Sequence, residues 1–148
     1  MIVVDTNVIG YLFLSSEQSI LAERALKKDN EWTAPILWRS EFRNVLTLYM
    51  RKDIIKLEQA QQIMNSALEL LRGREYEVPS YEVLRLASTS NCSAYDCEFI
   101  ATANDLKVPL VTVDKQLLRE FSSVAISLNS YSENSVRSAD NWNDGITE

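Results

Sequence analysis

The sequence predicts an α/β protein: three layers, with helices on both faces of a mainly parallel sheet of about five strands. Three observations carry this. Short β-branched runs alternate with longer amphipathic stretches along the chain, the pattern of strand–helix crossover units. The two most apolar runs, Ile2-Val3-Val4 and Leu110-Val111-Thr112-Val113, lack polar alternation, as strands buried on both faces do. The chain has 148 residues, 46% hydrophobic and 24% charged, which suits one folded domain and leaves too little for two.

The elements follow in order. Ile2 to Val4 is a strand closed by Asp5, and Asn7 to Leu14 suits a short helix. Ser15 and Gln18 have capping-box spacing and are expected to open a helix to Lys28, where Asp29-Asn30 ends it. Trp32 to Ala34 is a weak strand. Pro35 then suits the first turn of a helix to Arg51. Leu57 to Arg72 is the next helix, stopped by Gly73. A strand at Tyr76 to Val78 precedes a helix capped by Ser80 and ending near Ser90. Ser93 opens another, to Asp105. Pro109 to Val113 is a strand, Asp114 caps a helix to Phe121, and Val124 to Leu128 is the last strand. Residues 1–128 are thus expected to form the domain. Residues 129–148, rich in Ser, Asn and Asp, are expected to form a mobile acidic tail.

The chain contains no histidine. That excludes a Ser-His-Asp triad, a Cys-His pair and a His-ligated zinc site. Cys92 and Cys97 alone make neither a disulfide framework nor a structural zinc site, and are expected to be reduced, buried thiols. The N-terminus has no basic leader, and no apolar run approaches the ~20 residues that span a bilayer. A cytoplasmic protein is expected. The net charge of -6 argues against simple electrostatic capture of nucleic acid. The charge is uneven, however. Residues 129–148 hold Glu133, Asp140, Asp144 and Glu148 against Arg137, while Arg39 to Lys56 holds five bases against Glu41 and Asp53.

Asp5 and Asp114 each follow a strongly apolar strand. If those strands are parallel, both carboxylates emerge at one edge of the sheet. Each alone also suits a helix cap. Glu41 and Asp96 are less easily explained. At about 100° per residue, Asn44, Val45 and Leu48 fall within roughly 60° of Glu41, whereas Arg39 and Arg43 fall nearly opposite. Phe99, Ile100 and Ala103 lie as close to Asp96, which has no base at i±3 or i±4. Both acids therefore head apolar stripes. The helix dipole for Glu41, and a capping box with Ser93 for Asp96, are the purely structural readings. Four inward carboxylates without bases must be protonated or bind a cation. A hard divalent ion suits an all-oxygen set.

Four segments carry a resemblance: Val3-Val4-Asp5-Thr6-Asn7-Val8; Trp38-Arg39-Ser40-Glu41-Phe42-Arg43-Asn44-Val45; Ser93-Ala94-Tyr95-Asp96 with Phe99-Ile100-Ala101; and Leu110-Val111-Thr112-Val113-Asp114-Lys115-Gln116-Leu117. Together, and in this order, they resemble a PIN domain of the single-domain, VapC-like ribonuclease toxin type. The resemblance spans about residues 1–128. It departs from the family at Cys97, where a small residue such as Ala is usual, and the acidic tail is longer than the family needs.

The resemblance implies a Mg²⁺- or Mn²⁺-dependent endoribonuclease using one or two ions. It maps an acidic quartet onto Asp5, Glu41, Asp96 and Asp114, with Asn7 and Thr112 orienting them from behind. The metal activates water to attack phosphorus, leaving a 5′-phosphate and a 3′-hydroxyl. Asp5 and Asp96 are the first choices for direct ligands. Arg39 and Lys115 are candidates to meet the RNA backbone, or are solvated surface charges. Tyr11, Trp38 and Tyr95 are candidates to stack on bases, or are packing residues. The implied partners are RNA, a cognate antitoxin and a second copy of the chain, with the helices of residues 35–73 offering apolar surface for dimerisation. The alternatives are a non-catalytic PIN-like interaction module and an RNA-processing nuclease without a toxin role. A phospho-receiver lacks its acceptor Asp at Val78-Pro79-Ser80, and a haloacid-dehalogenase-type phosphatase lacks Asp at position 7.

Overall fold

A computed structural model describes residues 1–133. Five strands, β1 (Ile2–Val4), β2 (Trp32–Pro35), β3 (Glu75–Tyr76), β4 (Leu110–Thr112) and β5 (Ala125–Ser127), form one sheet in the order β3-β2-β1-β4-β5. Every pairing is parallel, with Val3 opposite both Thr33 and Leu110. Between them run α1 (Thr6–Phe13), α2 (Ser19–Lys28), α3 (Trp38–Arg51), α4 (Leu57–Leu70), α5 (Ser80–Ser88), α6 (Ala94–Leu106) and α7 (Lys115–Glu120). Right-handed crossovers place α1–α4 on one face and α5–α7 on the other.

The central strands are short and wholly buried. Every residue of β1, β2 and β4 is inaccessible to solvent or nearly so, which is why their sequences show no alternation. The helix α6 lies against β1, β2 and β4. It buries Cys97, Phe99, Ile100, Ala101, Thr102 and Ala103, so it is apolar around most of its circumference, as a core helix is.

Several elements differ from expectation. The box between Ser15 and Gln18 does not form. Instead Ser19 Oγ accepts from Ser16 N (3.0 Å) and Ser16 Oγ from Gln18 N (3.1 Å), and α2 opens at Ser19 without a side-chain cap. Pro35 ends β2 rather than opening a helix. Ala34 and Ile36 donate to the carbonyls of Arg74 and Tyr76 in β3's segment. The donor that Pro35 lacks falls on the β1 side, past the end of that strand. Ser80 is the first residue of α5, whose cap position is Pro79. Gly73 adopts φ 76° beyond α4, a conformation that side-chain-bearing residues rarely take.

The expected boundary at Leu128 falls within helical residues 128–133. Ser132 Oγ donates to Leu21 O (2.8 Å), and Lys28 Nζ stands 4.0 Å from the Tyr131 ring centroid. The first residues of the expected tail are thus fastened to α2. The rest of it lies outside the described residues.

Candidate active site

The strand order reverses direction between β1 and β4, and a crevice opens at such a point beyond the strand C-termini. Asp5 leaves β1 there and Asp114 leaves β4. Glu41 arrives on α3 from one face of the sheet and Asp96 on α6 from the other. All four line a cleft of about 260 Å³, together with Thr6, Asn7, Asn44, Val45, Phe99 and Leu117. No base lines it.

Each acid is placed by local chemistry. Asp5 caps α1: its Oδ1 accepts from Val8 N (2.9 Å), and its Oδ2 from the Thr112 hydroxyl and Val113 N (3.2 Å). The Thr112 oxygen also accepts from Asp114 N (3.0 Å), so one hydroxyl ties the ends of β1 and β4 together. Asp114 caps α7, its Oδ1 accepting from Gln116 N and Leu117 N. Ser93 caps α6 by accepting from the backbone N of Asp96 (3.0 Å). Glu41 Oε1 accepts from the Thr6 hydroxyl (2.7 Å).

Electrostatics follow from burial without a countercharge. Burial raises the Asp5 carboxyl above its ordinary value. The Thr112 hydroxyl and the Val8 and Val113 amides oppose this, and Asp114 adds to it. Burial likewise raises Glu41 against the pull of Thr6, reinforced by Asp96, Asp5 and Glu98. Asp96 is raised by burial and by Asp114, with Ser93 acting the other way. This is a site that disfavours its own ionisation, a cost that a cation, if held there, would offset. The donor set, carboxylate with amide and hydroxyl oxygens, fits a hard ion such as Mg²⁺ or Mn²⁺. Among the described residues, no three acidic or thiol groups stand close enough to enclose an ion as they are placed. Three of the roughly four acceptor positions of Asp5 are already filled by protein donors, so only its Oδ1 is open to a further ligand.

Other candidates lie elsewhere. Arg39 is not in the cleft: its Nε and Nη2 donate to Glu75 (2.6 and 2.5 Å), and Trp38 Nε1 donates to the same carboxylate (2.8 Å). This pair bolts the start of α3 to β3. Glu75→Gln is expected to cost about 1 kcal/mol, discounted because Arg39 is 41% exposed, and to lower the thermal midpoint by a few degrees. An unchanged melting curve would show the pair to be ornamental. Trp38 is fully buried and unavailable for stacking, Tyr11 is half-buried, and Tyr95 is exposed beside Asp96. Lys115 is exposed at the start of α7, next to Asp114 but not lining the cleft. Both cysteines are free and buried. Burial and Glu120 push the Cys92 thiol up to about 12, which removes it as a nucleophile.

The stripe read on α3 is corrected. Its buried face is Trp38, Phe42 and Leu46, while Leu48 is 46% exposed. Glu41 and Val45 stand at the border of that face, and the border is what opens onto the cleft. Thr6 and Asn44 also line the cleft, and the sequence alone had not singled them out. Thr6 and Asn44 carried a signal: one follows Asp5 directly and the other lies one turn beyond Glu41.

Comparisons with known proteins agree with this architecture. Ribonuclease VapC3 of Pyrobaculum aerophilum is 29% identical over 128 residues, covering 83% of this chain and 96% of that protein. The crystal structure of PAE2754 from Pyrobaculum aerophilum superposes with a TM-score of 0.72 at 21% identity, over 92% of this chain and 96% of that one. FitAcB of Neisseria gonorrhoeae matches at 0.65 and 18% identity, over 86% and 96%. A toxin–antitoxin complex from Klebsiella pneumoniae matches at 0.66 and 16%, over 86% and 98%. These structures share the fold. The PIN domain model matches residues 2–137, nearly the whole chain, and with four acids gathered where a parallel sheet reverses its strand order, this chain belongs to the PIN domain family.

Proposed function

We propose that the protein is a divalent-metal-dependent endoribonuclease and the toxin of a toxin–antitoxin pair. One observation carries the chemistry: Asp5, Glu41, Asp96 and Asp114, from four separate segments, line one cleft that no base enters. The Pyrobaculum relative, a ribonuclease, and the Klebsiella toxin–antitoxin complex support the biological role.

Asp5, Glu41, Asp96 and Asp114 would hold one or two Mg²⁺ or Mn²⁺ ions. When bound, the metal supplies Lewis acidity and a water of lowered pKa for phosphodiester hydrolysis. The chain's residues provide the rest. Thr112 and the Val8 and Val113 amides fix the Asp5 carboxylate in place and favour its ionised form against burial. Asn7 and Asn44 offer neutral amide donors at the wall, where an anionic phosphodiester would otherwise meet only carboxylates. Phe99 and Leu117 give the cleft an apolar wall. With a cation held among these acids, the net charge of -6 would be no obstacle to an anionic substrate. We further propose that the site works in the cytoplasm, and that an antitoxin blocks it by placing an Arg or Lys among the acids. The chain would associate as a homodimer.

The test is cleavage of an RNA panel by the full chain with Mg²⁺, Mn²⁺ or EDTA. Cleavage with either metal and none with EDTA is expected. Undiminished cleavage in EDTA would sink the proposal.

A further inference from the structure

Of the ten side chains lining the cleft, Thr6 has no role in the reading above. It is the first residue of α1, directly after Asp5, and only 7% exposed. At that position the helix has no preceding turn whose carbonyl a threonine hydroxyl could take, and the cap itself is made by Asp5. Its hydroxyl instead crosses to α3 and donates to Glu41 Oε1 at 2.7 Å. Glu41 has no base near it, and its long side chain would otherwise sample several rotamers. Oε2 of the same carboxylate accepts from no protein donor among the described residues. Threonine suits the task, because its β-branch stiffens χ1 and so aims the hydroxyl. The arrangement parallels Thr112 on Asp5: each of these two acids is gripped by one threonine from a different element.

We infer that Thr6 is a positioning residue, whose hydroxyl holds Oε1 of Glu41 so that Oε2 faces the cleft as an ion ligand. The inference rests on the metal reading of the site, and the two can fail separately. A mere tether between α1 and α3 would support folding but leave ion binding unchanged.

The experiment is Mn²⁺ titration by calorimetry on the metal-free full chain, without RNA, with a melting curve for each variant. Thr6→Val is expected to weaken Mn²⁺ binding about 10- to 100-fold, the range typical when a group orienting a metal ligand is removed. Thr6→Ser, which keeps the hydroxyl, should stay within about threefold of wild type. In a Glu41→Gln background, Thr6→Val should have little further effect, because the two residues act as one unit. Thr6→Ala serves if the valine variant does not fold. The assignment is overturned if Thr6→Val and Thr6→Ala bind Mn²⁺ like wild type, if Thr6→Ser loses as much as Thr6→Val, or if the loss is undiminished in the Glu41→Gln background. A wild type that binds no Mn²⁺ at millimolar concentration overturns the metal reading first and this one with it.

Discussion

Asp96→Asn is expected to lower RNA cleavage by roughly 10²- to 10³-fold, several kcal/mol of lost transition-state stabilisation, while the protein melts no earlier than wild type. The two halves of this result have separate causes. The start of α6 is secured by Ser93 Oγ accepting from the backbone N of Asp96, a bond that the substitution leaves intact. The side chain is raised by burial and by Asp114, so its ionised form costs the folded state. Replacing it with a neutral isostere relieves that cost and removes a proposed ligand. Asp5→Asn should behave differently. The Asp5 carboxylate accepts from three donors, and a carboxamide turns one acceptor oxygen into a donor facing them. Leaving buried donors unmet costs about 1–3 kcal/mol, so Asp5→Asn should lose both activity and stability. Cleavage rates at saturating Mn²⁺, measured beside melting curves, separate the two. An Asp96→Asn variant that cleaves like wild type would remove Asp96 from the proposed machinery.

Local signals were readable and contextual ones were not. The strands β1 and β4 announced themselves because burial on both faces leaves no polar alternation. Asp5, Ser93 and Asp114 were readable as caps because a cap bonds to amides two or three residues away. The failures involve either a choice among equivalent local options or a partner distant in sequence. On α3, two overlapping stripes compete for burial, and the one with Trp38, Phe42 and Leu46, which carries more bulk, turns inward where α3 packs against α1 and α4. Near Ser15, three serines compete for the same amides and the box loses. Pro35 can end a strand or open a helix, and only the length of β1 beside it decides. Arg39 looked free because its partner, Glu75, lies 36 residues away. Thr6 escaped for the same reason: Asp5 and Asn7 have obvious parts to play, and the Thr6 hydroxyl meets its partner only when α3 packs against α1.

The acids should also make stability depend on pH and metal together. In the folded chain the Asp5, Asp96 and Glu41 carboxyls are all raised above their ordinary, unfolded values. Between the unfolded and the raised values the folded state binds more protons, so its stability falls as pH rises through that window and stays reduced above it. Asp29 and Glu75 have the opposite sign. Their carboxyls are lowered when folded, so the stability they contribute is present above their ordinary values and lost as pH falls through the lowered ones. The metal-free protein should therefore melt highest at mildly acidic pH, not at neutral pH. Mn²⁺ should reverse this. At a concentration a hundred times its dissociation constant it adds about 2.7 kcal/mol, or roughly 8–11 °C for a chain of this length. The gain should be largest at neutral pH, where the acids are ionised, and should shrink on acidification as protons compete for the same oxygens. Scanning melting temperature against pH, with and without Mn²⁺, distinguishes two explanations of the crowded carboxylates. If they form a cation site, the two curves converge at acid pH and diverge toward neutral. If they are merely crowded, acidification stabilises the protein and Mn²⁺ changes nothing.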